Sequence, residues 1–355
     1  MLPPMSFGPR NSVPPDDDLK RVGLVAIGRN EGERLKRCLR SIPEGVAGVV
    51  YVDSGSTDGS VAFARSIGAE AVELDMSIPF TAARSRNAGF ERLKARFPHV
   101  ELVQFVDGDC AVAPGWLARA VDALDRRADV VAVAGRRREL HPDASPYNRL
   151  CDLEWGQTPP GECSELGGDV MVRARAFEAV GGYDPALIAG EDPDFAVRLR
   201  HRGGVLLRLD ADMTFHDANM HSLEQWWTRA KRAGHAYAQV SAKHAESDER
   251  FWSKNRKHSL TWGLAVPLAV PLLALPTLGA STLLLAAYPA RVVRLALRFE
   301  REGMSKEDAR LWAASCVASS IPEAVGIMKY HLDRARGKQA KLIEYKGGDG
   351  AARDR

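Results

Sequence analysis

Between residues 21 and 107, short apolar runs alternate with helical patterns, and this alternation limits the possible folds more than any other feature of the sequence. The first run, 22–27, is nearly continuous in apolar residues, as expected for a strand buried on both faces. The predicted strands are 22–27, 48–52, 71–74 and 102–106, and the predicted helices are 35–42, 60–67 and 82–96. Strands that alternate with helices through short loops predict an α/β fold with a mostly parallel sheet.

The composition excludes several classes of protein. With 355 residues, 45% hydrophobic and 27% charged, the chain is neither a disordered tail nor a disulfide-stapled miniprotein. Its 49 Lys+Arg nearly balance 46 Asp+Glu, so we expect no nucleic-acid partner. Five cysteines without a CxxC pair favour a reducing compartment over a disulfide framework or a Cys-rich zinc site.

Acidic residues collect where the predicted strands end, which is where ligands bind in such sheets. Asp107-Gly108-Asp109 can hold a divalent cation, although Asp and Gly also favour plain turns. The loop that runs from Asp53 to Gly59 can approach a nucleotide or simply cap the next helix. It lacks the Lys-Ser/Thr pair of a P-loop, and the chain contains no GxGxxG motif.

Further polar residues lie at predicted helix starts and strand ends later in the chain. Glu191 and Asp192 precede an amphipathic run, so they either suit the helix dipole or supply a general base. His216 follows a predicted strand and is either packed or functional. Its five-residue spacing from His221 excludes a shared helix face and therefore a two-His zinc site. The basic helix 225–232 carries two Trp, which suit a membrane interface, a diphosphate or ordinary packing.

In their order along the chain, these motifs resemble a known family. Asn30-Glu31 follows the first strand, Asp53 opens Asp-Ser-Gly-Ser-Thr-Asp-Gly, and Ala83–Gly89 precedes the Asp-x-Asp strand end. Gly167-Gly168-Asp169 and Gly181-Gly182-Tyr183-Asp184 then precede Gly-Glu-Asp-Pro-Asp-Phe. Over about residues 21–245 the chain resembles a family 2 inverting glycosyltransferase of the GT-A fold, of the bacterial polysaccharide or glycolipid type.

The resemblance implies roles for individual residues. Asp53 matches the residue that reads the nucleotide base, Asp107 the one nearer the ribose and diphosphate, and Asp109 the metal ligand. Asp192 matches the catalytic base, with Glu191 beside it, and His216 matches a downstream metal ligand. The residues expected on the nucleotide side are Asn30, Glu31, Asp53, Ser54, Arg84 and Asp107. The run 225–229 departs from the Gln-x-x-Arg-Trp of processive synthases, which favours a transferase that adds a single sugar.

The implied activity is transfer of a sugar from a UDP- or GDP-sugar to an acceptor hydroxyl, with Mn²⁺ or Mg²⁺ as cofactor. The acceptor is expected to be lipid-linked or a saccharide. A metal-dependent nucleotidyltransferase is the alternative enzyme, although it would ordinarily have a Lys-bearing triphosphate loop after the first strand. A non-catalytic nucleotide-sugar sensor or membrane scaffold is the alternative from another class.

An uncharged stretch with basic flanks in the C-terminal part of the sequence predicts contact with a membrane. The stretch 259–290 has no charged residue and contains four prolines. As one helix it would be about 48 Å long, beyond a hydrocarbon core of about 30 Å, and prolines disfavour a straight helix. Basic residues flank it at Lys254, Arg256, Lys257, Arg291, Arg294, Arg298 and Arg301.

Because both flanks are basic, both ends of the stretch should stay on the cytoplasmic side. We therefore predict a re-entrant hairpin or an interfacial helix pair at the cytoplasmic face of the membrane, with a buried hairpin as the alternative. The later apolar segment 311–328 contains Glu323 and is a weaker membrane candidate. The expected organisation is a disordered leader over 1–20, a GT-A domain over 21–245 and a membrane-associated helical region over 246–355.

Overall fold

The computed structural model describes residues 16–247 and 249–337. The first half alternates strands and helices in the order β1 (Val22–Gly28), α1 (Glu33–Arg40), β2 (Gly48–Asp53), α2 (Ser60–Ser66), β3 (Glu70–Glu73), α3 (Ala82–Arg96) and β4 (Leu102–Asp107). Every strand and helix predicted up to residue 107 is confirmed, with ends that differ by a few residues.

The chain continues with a less regular alternation. Its elements are β5 (Cys110–Val112), α4 (Trp116–Arg126), β6 (Val130–Glu139), α5 (Pro146–Trp155), β7 (Gly161–Glu162), β8 (Val170–Arg173), α6 (Ala174–Ala179), α7 (Glu191–His201), β9 (Val205–His216) and α8 (Leu223–Lys243). The predicted helix after Gly190, the strand that ends at His216 and the basic Trp-containing helix are confirmed as α7, β9 and α8.

Within the described chain, nine strands form one sheet in the order β3-β2-β1-β4-β8-β6-β9-β5, with β7 also paired to β9. The strands β3, β2, β1 and β4 are parallel, as predicted. Beyond β4 the sheet is mixed, because β8 runs antiparallel to both β4 and β6, while β6 and β9 are parallel. Strand β5 pairs antiparallel with β9, which sets Cys110 opposite His216.

Helices cover both faces of the sheet, which explains the continuous apolar run in β1. Leu24 and Ala26 pack in a core cluster with Trp116 of α4, whereas Val25 and Ile27 pack in a second cluster with Phe90 of α3. A strand buried on both faces needs apolar residues at successive positions rather than at alternate ones. The sheet is therefore held rigidly, and its strand ends can position polar side chains.

The predicted leader is corrected at its C-terminal end. Residues 1–15 lie outside the described residues, but Asp16–Arg21 forms a 3₁₀ helix, so residues 16–20 are ordered. The guanidinium of Arg21 in this helix pairs with Asp125 of α4.

The C-terminal region is helical and folds back on itself. Helix α9 (Ser253–Leu260) passes through a π-helical turn, Thr261–Ala265, into α10 (Val266–Leu272), and after a turn a 3₁₀ helix, Ala280–Ala286, leads into α11 (Ala287–Arg301). The two arms contact each other, since the Tyr288 hydroxyl donates to the Trp262 carbonyl and Arg291 lies 3.9 Å from the centre of the Trp262 ring. We call residues 253–301 the apolar hairpin.

The tip of the apolar hairpin is exposed. Leu275 is 89% exposed and Leu278 is 97% exposed, and neighbouring leucines are also accessible. The alternative of a buried hairpin, packed over the predicted GT-A domain, is therefore excluded for the tip. The uncharged stretch is not one straight helix, as predicted: a turn over 273–279, which contains Pro276, interrupts it, whereas Pro267 and Pro271 lie within α10.

Two further helices, α12 (Lys306–Ala318) and α13 (Ser320–Ala335), attach the C-terminal region to the domain. Helix α13 packs against α8 at two glycines. A Cβ atom at Gly234 would lie 1.9 Å from the Glu323 carbonyl oxygen, and one at Gly326 would lie 2.0 Å from the Lys231 carbonyl oxygen. These glycines allow the two backbones to approach closely.

Within residues 16–247 and 249–337, two helical segments are long and apolar enough to cross a membrane by length and composition: Ala280–Arg301 and Lys306–Ala335. Core helices of soluble proteins can meet the same criteria. The first segment is only 11% buried, whereas the second is 39% buried because it packs on the domain.

Candidate active site

A cavity of about 1060 Å³ opens beyond the carboxyl ends of β1 and β4 and extends to the C-terminal helices. This is the edge of the sheet at which the sequence predicted a ligand. The predicted site residues that line it are Glu31, Ser54, Asp107, Asp109, Glu191, Asp192 and His216. Asn30, Asp53 and Arg84 are described but are not part of its lining.

Asp107, at the end of β4, lies between two arginines. Its Oδ1 accepts from Arg86 Nη2 at 2.9 Å, and its Oδ2 lies 3.3 Å from Arg137 Nη2. The buried Asp169 fixes the same strand end, because its Oδ1 accepts the Asp107 backbone N–H and its Oδ2 accepts from Arg137 and from the Thr214 hydroxyl. Two arginines therefore neutralise carboxylates that would otherwise repel one another.

Asp109, which directly precedes β5, lies beside His216 at the end of the neighbouring strand β9. His216 Nε2 is 3.4 Å from Asp109 Oδ2, and His216 Nδ1 is 3.2 Å from Oε2 of the buried Glu139. Burial lowers the pKa of His216, although its hydrogen bond to Glu139 opposes the shift, so the neutral imidazole is favoured. A neutral imidazole whose other nitrogen is oriented by a carboxylate is the usual state of a histidine that binds a metal.

The side chains around Asp109 and His216 offer ligand atoms that fit a divalent cation. One ligand atom each from Asp109, Cys110 and His216 lies within 4.8 Å of the others. Burial strongly raises the pKa of the Cys110 thiol, which disfavours the thiolate that a metal would need. Asp109 and His216 are therefore the better candidates, and a carboxylate oxygen suits Mg²⁺ and Mn²⁺.

Glu191 and Asp192 begin α7, directly after Gly190, which has a positive φ of 81°. Arg86 Nη1 donates to Glu191 Oε1 at 2.9 Å and to Asp192 Oδ1 at 3.0 Å. Arg86 thus joins the start of α7 to Asp107 at the end of β4. The side chain of Asp192 is 20% exposed and that of Glu191 only 7%, so Asp192 is the more accessible carboxylate.

The surroundings of Asp192 favour a proton acceptor. Burial raises the pKa of this carboxyl well above its usual range. The Arg86 guanidinium opposes the shift, while the neighbouring carboxylates of Glu191 and Asp107 reinforce it. With its pKa raised to about 8, the Asp192 carboxylate is a stronger base than an ordinary one, and its ionised fraction grows as the pH rises toward 8.

The loop after β2 is held by its own hydrogen bonds. Asp53 Oδ1 accepts from the Tyr51 hydroxyl at 2.8 Å, and its Oδ2 accepts the backbone N–H groups of Gly55 and Ser56. Asn30 ties this loop to the end of β1, because its N–H donates to Ser56 Oγ and its Oδ1 accepts from Thr57 N–H. The roles of Asp53 and Asn30 in nucleotide binding stay predictions.

Arg84 forms its side-chain hydrogen bonds with residues that do not line the cavity. Its Nη1 and Nη2 donate to the backbone carbonyls of Ile78 and Asp75, each at 2.7 Å. Arg86, two residues further along α3, is the arginine of this motif that enters the cavity. Arg86 was not among the site residues predicted from the sequence, although it stands in the same motif, Ala83–Gly89.

The far half of the cavity is formed by helices of the C-terminal half. Trp226, Arg229 and Arg232 of α8 line it, as do residues of α9 and α12. The Trp226 indole N–H donates to Ser315 Oγ of α12 at 3.2 Å, so this Trp packs between helices. Trp227, by contrast, is exposed.

Comparison with known proteins gives a family and two curated relatives. A family model described as Glycosyl transferase family 2 matches residues 25–180. Glycosyltransferase AglE of Haloferax volcanii is 26% identical over 194 residues, which cover 51% of this chain and 62% of AglE. A TPR repeat-containing protein of Synechococcus elongatus is 37% identical over 135 residues, which cover 38% of this chain and 32% of that protein. The chain therefore matches less than two thirds of the length of each curated relative.

Two solved structures resemble the whole chain more broadly. The mannosyltransferase PcManGT from Pyrobaculum calidifontis, solved in complex with GDP-Man and Mn²⁺, has a TM-score of 0.59 at 20% identity and covers 87% of each chain. S. aureus TarS 1-349 has a TM-score of 0.51 at 13% identity and covers 90% of this chain and 92% of its own. At these identities the likeness shows the fold, and the predicted fold class is confirmed.

Proposed function

We propose that this chain is an inverting, metal-dependent glycosyltransferase, and the match of a family model described as Glycosyl transferase family 2 to residues 25–180 supports this. It moves a sugar from a nucleoside diphosphate donor, a UDP- or GDP-sugar, to an acceptor hydroxyl. The observation that carries the proposal is one cavity in which Asp192, Arg86 and Asp107 form a single network beside the Asp109 and His216 pair.

Asp109 and His216 are proposed to hold the divalent cation, Mn²⁺ or Mg²⁺. Bound there, the cation supplies positive charge that stabilises the leaving nucleoside diphosphate. Glu139 keeps His216 oriented through Nδ1, and the arginines beside Asp107 add fixed positive charge on the same side of the cavity. Asn30, Glu31, Asp53, Ser54, Arg84 and Asp107 are the proposed nucleotide side.

Asp192 is proposed to accept the proton of the acceptor hydroxyl as the oxygen attacks the anomeric carbon. The new carbon–oxygen bond forms as the bond to the diphosphate breaks, so one displacement inverts the configuration. This chemistry needs one base and one stabiliser of the leaving group, and it does not need the carboxylate nucleophile of a retaining glycosidase. Glu191 assists by sharing Arg86 with Asp192.

The domain is proposed to work at a membrane surface. The exposed tip of the apolar hairpin offers leucines to a lipid phase, and the cations around both of its ends favour the cytoplasmic face. In this arrangement the GT-A domain spans 21–245, the membrane-associated helical region spans 246–355, and the product belongs to polysaccharide or glycolipid synthesis.

The test is release of nucleoside diphosphate from a panel of nucleotide sugars, each offered together with lipid-linked and soluble saccharide acceptors and with Mn²⁺, Mg²⁺ or EDTA. We expect turnover to require the metal and to fail in Asp109→Asn, because loss of an anionic ligand weakens metal binding. Asp192→Asn should lower turnover by roughly 10²–10⁴-fold, the usual contribution of a general base, with donor binding retained.

The matched control is Asp210→Asn, since Asp210 is exposed and does not line the cavity. It should turn over normally. Full turnover in EDTA would contradict the metal dependence, and full turnover of Asp192→Asn would contradict the choice of base. Absence of release with every nucleotide sugar would contradict the proposed function itself.

A further inference from the structure

The cavity continues well past the proposed catalytic residues. Its volume, about 1060 Å³, slightly exceeds the range of roughly 300–1,000 Å³ that small-molecule sites occupy. Beyond Asp192 it runs along α8, where Ala233 and Ala236 form part of its wall, and reaches α9 and α12. This far half is available to a second ligand that meets the donor sugar near Asp192.

Cations of α8 and α9 line the far half of the cavity. Arg229 is paired with Glu154 at 2.6 Å. Arg232 of α8 and Lys254 of α9 also line the cavity, and neither has a carboxylate within 4.0 Å among residues 16–247 and 249–337. Cations that face a cavity without a carboxylate beside them are suited to an anionic group of a ligand, above all to a phosphate.

The acidic lining of the far half does not cancel these cations. Glu154 is the partner of Arg229, and the Glu323 carboxylate accepts from the buried Ser259 hydroxyl at 2.6 Å. Burial raises the pKa of Glu323, which favours its neutral form. Three cations, Arg229, Arg232 and Lys254, line the far half against two carboxylates, Glu154 and Glu323, so the formal charge of its lining is positive.

Helix α9, which lines the cavity, continues into the apolar part of the hairpin. His258 and Ser259, near the end of α9, line the cavity, and the uncharged stretch begins at Ser259. From there the chain runs to the exposed leucines of the tip. The lining of the cavity thus includes the Asp192 carboxylate and the cations Arg232 and Lys254, and α9 continues from it into the apolar hairpin.

We propose that the acceptor is an anionic lipid-linked saccharide, and that Arg232 and Lys254 bind its phosphate or diphosphate. The hydrocarbon chain lies against the apolar hairpin, the phosphate occupies the basic far half, and the sugar hydroxyl reaches Asp192. The transferred sugar leaves the donor diphosphate, bonds to this hydroxyl oxygen, and the hydroxyl proton passes to Asp192. The assignment of an acceptor rests on the proposed function, whereas the binding of such a lipid can be measured without a donor.

The experiment measures binding of the full chain to phosphatidylcholine vesicles that contain undecaprenyl diphosphate, by vesicle flotation. The comparison is with vesicles of equal surface charge made with phosphatidylglycerol. We expect about tenfold or tighter binding to the undecaprenyl diphosphate vesicles, because Arg232 and Lys254 bind a diphosphate specifically. Arg232→Gln combined with Lys254→Gln should abolish this preference while both kinds of vesicle are still bound.

The control variant is Lys257→Gln combined with Arg310→Gln, which removes two exposed cations of α9 and α12 that do not line the cavity. It should keep the preference. Equal binding to both kinds of vesicle, or equal effects of the two double variants, would overturn the proposal. If inorganic pyrophosphate abolishes the preference at a concentration similar to that of the lipid, the hydrocarbon chain contributes nothing and the lipid assignment is wrong.

The two proposals fail in distinguishable ways. A preference for undecaprenyl diphosphate without nucleotide release from any donor contradicts the proposed function and leaves the lipid site standing. Turnover with a soluble saccharide acceptor, together with no lipid preference, contradicts only the lipid site.

Discussion

Arg86 is the side chain that joins the separate parts of the candidate site. It is nearly fully buried and contacts Asp107, Glu191 and Asp192, which come from β4 and α7. Its guanidinium also lies 5.3 Å from the centre of the Tyr183 ring. Because a guanidinium offers five donors in a fixed plane, one Arg can hold three carboxylates at set positions.

Arg86→Gln should lower turnover most strongly at neutral and acidic pH. Without the cation, the pKa of Asp192, already raised by burial, rises further, so a smaller fraction of the base is ionised. The acidic limb of the pH profile should move to higher pH, and turnover at a fixed pH below the limb should fall about tenfold for each pH unit by which the limb moves. The measurement is turnover against pH, with thermal unfolding followed in parallel because Arg86 is buried.

Two comparison variants make this result specific. Arg86→Lys keeps the charge but not the planar fork, so it should leave the acidic limb near its original pH while turnover still falls. Arg84→Gln removes a guanidinium that donates to backbone carbonyls and should not move the limb. A shifted limb in Arg84→Gln with an unchanged limb in Arg86→Gln would refute the role assigned to Arg86.

At the residue scale, the sequence predicts the site residues that stand at the ends of strands or the starts of helices, but not those that only the pairing of distant strands brings to the site. Asp107, Asp109 and Asp192 stand at strand ends and helix starts, so their positions follow from the alternation of elements. Arg137 and Glu139 could not be predicted, because they reach the site through the pairing of β6 with β9. Asp169 stands within a Gly-Gly-Asp motif, but its contacts with Asp107 and Arg137 require the antiparallel strand β8.

At the scale of elements, the contact between α8 and α13 attaches the C-terminal helices to the sheet domain. Gly234 and Gly326 meet the opposite backbones, and His235 beside Gly234 is buried against the Tyr330 ring. The sequence predicted the hairpin from its prolines and basic flanks. It did not predict this packing, because an apolar run such as 311–328 looks the same whether a membrane or another helix covers it.

Gly234→Ala should weaken this contact. The added Cβ would lie 1.9 Å from the Glu323 carbonyl oxygen, so α13 must move away from α8. Overpacking of this kind costs typically about 1–3 kcal/mol of unfolding free energy. The measurement is chemical unfolding together with limited proteolysis, in which the C-terminal helices should become cleavable first.

Gly156→Ala is the matched control, since a Cβ there meets its nearest atom at an ordinary 3.4 Å and Gly156 lies at a helix C-terminus. It should change the unfolding free energy little. If Gly234→Ala is as stable and as protease-resistant as the control, the close packing of α13 on α8 is refuted.

At the scale of the whole molecule, the exposed hairpin and the cavity belong to one continuous surface. Arg229 and Arg232 lie on the same α8 that holds α13, and α9 runs from the cavity into the hairpin. A surface helix pair with accessible leucines is suited to the boundary between lipid headgroups and acyl chains. The catalytic cavity would then open close to the membrane surface.

Leu275→Ser combined with Leu278→Ser should reduce membrane binding without loss of fold. Each leucine is almost fully exposed, so its removal costs little stability, but burial of a leucine in lipid contributes roughly 1.5–3 kcal/mol. Binding to phosphatidylcholine vesicles should therefore fall by about a hundredfold or more. The control is Ile67→Ser combined with Leu223→Ser, two exposed apolar residues outside the hairpin. Equal vesicle binding of both double variants would show that the hairpin is not the membrane contact.

The pairing of β5 with β9 has a consequence for the order in which the protein becomes active during synthesis. Asp109 and His216 meet only through this pairing, and about a hundred residues of chain separate them. The strands β1 to β4 can assemble from local β-α-β units as the chain leaves the ribosome, so the half of the sheet that carries the proposed nucleotide side forms early. Asp109 and His216 come together only when β9 has been made, so an incomplete chain that stops before β9 lacks half of the proposed metal-binding pair.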